Sequence, residues 1–176
     1  VEALVRWRHP RFGLVPPNQF IPLAERTALV QPLTRWILNE AFRCAQSWQR
    51  RGISLFVSVN LSARNLHDPD LVERIQGLRE TWGIPWSAIE FEITESALMK
   101  DPRRAAETLE RVSGFGASLA IDDFGTGYSS LVNLRKLPFS KIKIDKSFVI
   151  GMRSNEEDAA IVRAIIELAR PLGLKS

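Results

Sequence analysis

Short runs of β-branched or apolar residues recur along the chain, at Val1–Trp7, Leu55–Asn60, Ile89–Ile93, Ser118–Asp122 and Lys141–Ile144. Stretches with apolar residues every three or four positions separate most of them, so the pattern predicts strands alternating with helices. One helical stripe carries Leu33, Trp36, Ile37, Ala41, Cys44 and Trp48 and meets a stop at Gly52. Asp68-Pro69 and Asp101-Pro102 open the next two helices, because Asp caps free amides and Pro suits the first helical position. A fourth helix starts near Ser154-Asn155, has Glu157 in capping-box position, and runs through Ile161, Ile165 and Leu168 to Pro171-Gly173.

Strand side chains alternate between faces, which splits the strand residues into two sets. One set is apolar: Ala3, Val5, Trp7, Leu55, Val57, Val59, Phe91, Ile93, Leu119, Ile121, Ile142 and Ile144, a face made to be covered by helices. The other holds Glu2, Leu4, Arg6, Phe56, Ser58, Asn60, Glu90, Glu92, Ser118, Ala120, Asp122, Lys141 and Lys143, with charged residues late in several strands. A flat doubly wound sheet needs both faces apolar, whereas a closed barrel directs polar residues inward near its C-terminal mouth. The expected fold class is therefore α/β, a TIM-like (β/α) barrel. A full barrel takes about 250 residues and eight strands, so the 176 residues here are expected to form a barrel incomplete at both ends. The chain opens inside a strand pattern and closes at Leu174-Lys175-Ser176, where a further strand is due.

Composition narrows this picture without changing it. With 45% hydrophobic and 25% charged residues the chain can bury a core and is not a disordered segment. No stretch approaches the roughly 20 apolar residues of a spanning helix, and no leader pattern opens the chain. The expectation is a cytoplasmic domain with no membrane contact from this segment, although other segments of a parent chain are free to anchor it. The lone Cys44 is read as a core thiol. A net charge of +4, with Arg6, Arg8, Arg11 and Arg50-Arg51, favours an anionic ligand weakly. No basic and aromatic ladder accompanies it, which argues against a nucleic acid polymer as partner.

Chemistry concentrates at strand ends. Glu2, Asn60, Glu92, Asp122 and Asp123 would suit a hard divalent cation such as Mg²⁺ or Mn²⁺. Crowded carboxylates need such compensation, since like charges at close range drive protons back onto them. Two ions about 3.5–4 Å apart activate a water and stabilise both oxygens of an in-line phosphoryl displacement. Lys143, in the inward set, is placed to orient that water or neutralise developing charge. Asp122-Asp123 leads into Phe124-Gly125-Thr126-Gly127-Tyr128-Ser129-Ser130, two glycines and three hydroxyls after an acidic strand end, as in a site loop.

Six motifs then stand in order: Glu2-Ala3-Leu4-Val5-Arg6-Trp7, Phe20-Ile21-Pro22-Leu23-Ala24-Glu25, Val59-Asn60-Leu61-Ser62, Glu92-Ile93-Thr94-Glu95, Asp122-Asp123-Phe124-Gly125-Thr126-Gly127 and Lys143-Ile144-Asp145. Together they resemble the EAL domain family over nearly the whole chain. The resemblance implies hydrolysis of the second messenger cyclic di-GMP to linear pGpG, with Mg²⁺ or Mn²⁺ in a two-metal site. It implies metal binding by Glu2, Asn60, Glu92, Asp122 and Asp123, with Glu2, Asp123 and Lys143 catalytic. By the same resemblance Arg6 meets a substrate phosphate with Leu4 beside it, and Glu95 anchors the loop after Asp123. Residues 1–176 then read as a partial EAL domain that lacks the first strand and the C-terminal strands, with a further metal-binding Glu and a Gln. The isolated stretch is therefore expected to be inactive. A homodimer, and sensor or cyclase domains in the parent chain, are the partners the family implies.

Two other readings stay open on the residues alone. One is a module that binds cyclic di-GMP or a protein without cleaving anything. The other is an unrelated barrel hydrolase, such as a glycosidase using Glu92 and Asp122 as an acid and base pair without metal.

Overall fold

The computed structural model describes residues 1–127 and 131–176, and the side chains of all of these except 131–133. Packing divides the chain into two compact units, Val1–Glu90 and Phe91–Ser176.

In the first unit β1 (Trp7–His9) pairs antiparallel with β2 (Gly13–Val15), Trp7 facing Val15 and His9 facing Gly13. Helices α1 (Pro17–Arg26) and α2 (Val30–Arg50) follow, then β3 (Val57–Leu61), α3 (Ala63–Leu66) and α4 (Leu71–Trp82). A short 3₁₀ turn, Trp86–Ala88, leads into β4 (Ile89–Thr94), whose first two residues belong to this unit. There β3 neighbours β4, and Ser58 Oγ donates to the buried Glu90 Oε1 at 3.0 Å.

The predicted strand over Val1–Trp7 is corrected. Glu2 makes an isolated parallel bridge to Ser58, with Ala3 N–H donating to Ser58 O and Ser58 N–H to Val1 O, both at 2.8 Å. From Trp7 the backbone enters the hairpin instead, because Gly13 at φ +69° supplies the left-handed turn that closes it. Trp7 and Leu55, both assigned to a covered face, are exposed, whereas Val57 and Val59 of that set are buried.

Helix α2 ends before Gly52 at φ +71°, as the stop signal requires. Its buried stripe is rotated from the expected one: Val30, Thr34, Leu38, Ala41, Phe42 and Ala45 are buried, while Trp36 is 56% exposed. Apolar residues cover more than half the circumference of this helix, so periodicity alone does not choose the face. The side carrying Leu38 and Phe42 wins by packing on β3 and α4. Trp36, Cys44 and Trp48 instead line a groove of about 270 Å³ beside residues 1–6. Trp82 Nε1 donates to Asn39 Oδ1 at 3.2 Å and Gln46 Nε2 to Trp82 O at 2.6 Å, tying α2 to α4. Asp68 does not cap α4. The helix starts at Leu71, and the Asp68 carboxylate accepts from Asp70 N–H at 3.0 Å and pairs with Arg74 at 2.9 Å.

The second unit holds the rest of β4, α5 (Glu95–Met99), α6 (Pro102–Gly114), β5 (Ser118–Phe124), α7 (Leu131–Lys136), β6 (Lys141–Ile144), α8 (Lys146–Gly151) and α9 (Glu156–Ala169). Its strand order is β4-β5-β6, with β5 and β6 parallel. Phe91, Ile93, Leu119, Ile121 and Ile142 are buried as the alternation predicts, each fully buried side chain contributing about 1.5–3 kcal/mol. Asp101 caps α6, accepting from Arg104 N–H at 3.1 Å with Pro102 in the first turn. Asn155 caps α9 by accepting from Glu157 N–H at 2.9 Å, so residue 157 is engaged through its backbone. Beyond α9, Ile142 N–H donates to Lys175 O at 2.7 Å and Lys175 N–H to Ser140 O at 3.0 Å, a parallel bridge where the sequence predicts a further strand. Among the described residues no helix is long and apolar enough to cross a membrane.

Candidate active site

In the second unit, parallel strands deliver their polar residues to one end. On β4, Ile93 is buried among apolar neighbours while Glu92, on the other face, is only 3% exposed. Lys143 of β6 places Nζ 2.6 Å from Glu92 Oε2 and 3.3 Å from Asp122 Oδ2 of β5. An ammonium thus stands between two carboxylates. Burial pulls the Lys143 pKa down, but the hydrogen bond to Glu92 and the charges of Glu92 and Asp122 outweigh it and hold the pKa above the ordinary lysine value.

Asp122 and Asp123 sit where the β5–β6 register slips, between Ile121 and Phe124. Such a bulge re-aims side chains. Asp123 takes φ +53° there, a left-handed conformation that Asp tolerates better than most residues. Its carboxyl is pushed above the usual range, first by burial, then by the charges of Asp122 and Asp145, and it shares a hydrogen bond with Asp145. Asp145 is held below the usual range by the hydroxyl and backbone amide of Ser147, the amide donating at 2.8 Å. Asp145 closes the Lys143-Ile144-Asp145 motif, and the sequence alone assigns it no role. Its signal is position: it directly follows β6, two residues after Lys143, and its side chain caps α8.

Glu95, at the start of α5 and 2% exposed, accepts from Gly125 N–H and Gly127 N–H, both at 3.2 Å to Oε2. Close approach explains the glycines. A Cβ on Gly127 would lie 2.8 Å from Glu95 Cδ, and one on Gly125 3.1 Å from the Phe148 ring. Tyr128, Ser129 and Ser130, the hydroxyls expected in this loop, lie outside the described residues.

In the first unit Asn60 Nδ2 donates to Glu2 Oε1 at 2.8 Å, so two of the predicted oxygen donors meet. Arg6 is exposed and its Nη1 turns back to Val5 O at 2.9 Å, and Leu4 is also exposed. Among the described residues no three His, Cys, Asp or Glu side chains stand in metal-holding geometry; the cation at Glu92 and Asp122 is the Lys143 ammonium. The donor set still fits a hard cation. Glu92, Asp122 and Asp123 offer only carboxylate oxygens, and the Asp123 pKa, raised first by burial and then by the charges of Asp122 and Asp145, carries a share of anionic crowding that a cation would relieve.

The family model described as the EAL domain matches residues 1–176. The chain belongs to the EAL domain family. A cyclic di-GMP phosphodiesterase of Pseudomonas aeruginosa is 42% identical over 175 residues, covering 99% of this chain and 30% of the relative. The bifunctional diguanylate cyclase/cyclic di-GMP phosphodiesterase MucR of the same organism is 43% identical over 176 residues, covering 99% and 26%. The solved phosphodiesterase PaMucR, in complex with c-di-GMP, superposes with a TM-score of 0.95 at 42% identity, over 99% of this chain and 71% of that one. The chain thus spans under a third of these curated relatives. The α/β, TIM-like barrel expected from the strand faces is the fold of these EAL structures.

Proposed function

We propose that this EAL chain takes part in the metal-dependent hydrolysis of cyclic di-GMP to linear pGpG, within a longer signalling protein. The observation that carries this reading is the Glu92, Lys143 and Asp122 group, at 2.6 and 3.3 Å, in a chain matched to the EAL family along its length. Cyclic di-GMP is a dianion with two phosphodiesters, and its cleavage adds one water across one P–O bond. Negative charge then grows on phosphoryl oxygens, where a fixed ammonium acts as a point charge without reorganising. Glu92 and Asp122 hold Lys143 charged and in place. Asp123, whose carboxyl is raised first by burial and then by its acidic neighbours, is a stronger base than an ordinary carboxylate and is placed to take a proton from water. Glu95 fixes the loop after Asp123 through two amides.

Glu92, Asp122 and Asp123 would hold a divalent cation, and the family likeness assigns Glu2 and Asn60 to the same ligand set. Bound there, a cation such as Mg²⁺ or Mn²⁺ polarises a phosphoryl oxygen and acidifies water. The same likeness assigns Arg6, with Leu4, to the substrate. A homodimer, and sensor or cyclase domains on the same polypeptide, belong to this proposal, and light scattering of the full-length protein checks the first.

The test is chromatography of products from cyclic di-GMP with the full-length protein under Mn²⁺, under Mg²⁺ and after exhaustive chelation. Release of pGpG that stops on chelation and returns with metal is the expected result. Undiminished hydrolysis after chelation would overturn the metal requirement. Binding without turnover would favour the non-catalytic module.

A further inference from the structure

The second unit contains an apolar cavity of about 340 Å³ with no part in the chemistry above. Leu98 and Met99 of α5, Ile121 of β5 and Leu134 of α7 supply its apolar walls. Arg103 and Lys136 are the charged side chains among its described lining residues. Both are exposed, and among the described residues Arg103 pairs with the exposed Glu107, at 3.3 Å on the same helix, a pairing of little strength in water. The volume lies within the range of ligand pockets, and at about 30 Å³ per atom in a liquid it admits roughly ten non-hydrogen atoms. An apolar hole with a cationic rim and no acid among its described lining residues has the chemistry of a receptor for a medium-chain anionic amphiphile.

The walls of this cavity also carry the site. Leu98 and Met99 lie three and four residues beyond Glu95 on one short helix, and Glu95 holds Gly125 and Gly127. On β5, Ile121 lines the cavity while the next residue, Asp122, stands 3.3 Å from Lys143.

We propose that this cavity binds a medium-chain alkyl carboxylate, tail against Ile121 and Leu134 and head between Arg103 and Lys136, and that occupancy stiffens α5 and β5 and raises turnover. The effect on turnover rests on the phosphodiesterase reading; the binding does not. Each methylene buried contributes about 0.8 kcal/mol, which makes a chain of eight to ten carbons a reasonable probe.

The experiment is titration of the full-length protein with decanoate below its micelle concentration, by calorimetry, beside hydrolysis of cyclic di-GMP at the same concentrations. Expected are one saturable site per chain, loss of about tenfold in affinity in Ala106→Phe, which narrows the cavity from its α6 wall, and a similar loss in Arg103→Glu/Lys136→Glu, which removes the cationic rim. Since the rim residues are exposed, the double variant tests the idea even if Ala106→Phe misfolds. Turnover should rise about fivefold at saturation, the low end of ordinary coupling between sites. No saturable binding, unchanged affinity in the rim variant, or equal affinity for decan-1-ol would overturn the site. Binding as expected with unchanged turnover would overturn the coupling. Binding as expected in a protein that releases no pGpG would leave the site standing and sink the phosphodiesterase reading.

Discussion

In the proposed reaction Lys143 is the residue on which the chemistry would turn, since its ammonium answers to two carboxylates from two different strands. Lys143→Met should lower kcat by about a hundredfold or more, the usual effect of deleting a preorganised electrostatic element. Adding Glu92→Gln should cost far less than the product of the single effects, because the two residues act as a unit; a steady-state cycle of the four proteins measures this. The raised Lys143 pKa means that its ion pairs stabilise the fold fully below the unfolded lysine value and are lost as pH rises through the folded one, an alkaline window above about pH 10.4. Asp123 behaves in the same sense at acid pH. Its raised carboxyl contributes stability below about pH 3.9, and this is lost as pH climbs through the folded value, so at neutrality the charged form is a burden. Asp123→Asn, which keeps the shape and tolerates φ +53°, should therefore raise Tm at pH 7 without divalent cations. Although burial of its carboxyl is the first cause of the raised pKa, Asp123 as a residue is exposed, so solvent screening keeps the gain to about 1–2 °C, and it should vanish toward pH 3 in calorimetry.

At the scale of elements, Glu95 and the glycine loop form a clamp with no room for a side chain. Gly127→Ala should release the loop, because its Cβ would meet the Glu95 carboxyl at 2.8–3.2 Å, and kcat should fall about tenfold or more with little change in Tm. Hydrogen exchange at the Gly125 and Gly127 amides checks this directly. Asp101→Ala should instead cost about 1 kcal/mol in urea unfolding without touching turnover, since it removes the cap of α6. The local signals explain why much of this was legible in the sequence. Asp101-Pro102, Gly52 and the alternation of Phe91, Ile93, Leu119 and Ile121 act through neighbours in the chain, and the structure follows them. Tertiary context decided the rest. The stripe of α2 turned toward Leu38 and Phe42, Asp68 found Arg74, and the strand expected over Val1–Trp7 gave way to a bridge at Glu2 and a hairpin that starts at Trp7. In the site, strand alternation placed Glu92 and Lys143 together, but Asp145 was missed because only the bulge at Asp122-Asp123 brings it into play.

For the whole molecule, the net charge of +4 is a small surplus of 24 basic over 20 acidic residues. It should steer a dianionic substrate only weakly. Between 10 and 150 mM salt, kcat/KM for cyclic di-GMP is expected to fall by less than about tenfold, as the screening length shrinks from about 30 to 8 Å. A steeper fall in stopped-flow traces would reveal a local field that the net charge hides.

The division into Val1–Glu90 and Phe91–Ser176 also determines what light can see. Trp7, Trp36, Trp48, Trp82 and Trp86 all fall in the first unit, and so does Cys44. Tryptophan emission and thiol labelling therefore report on one half of the chain and are blind to the half that holds Lys143 and the apolar cavity. A Cys44→Ser chain carrying Met99→Cys would reverse this, offering a single attachment point for a dye at the cavity wall.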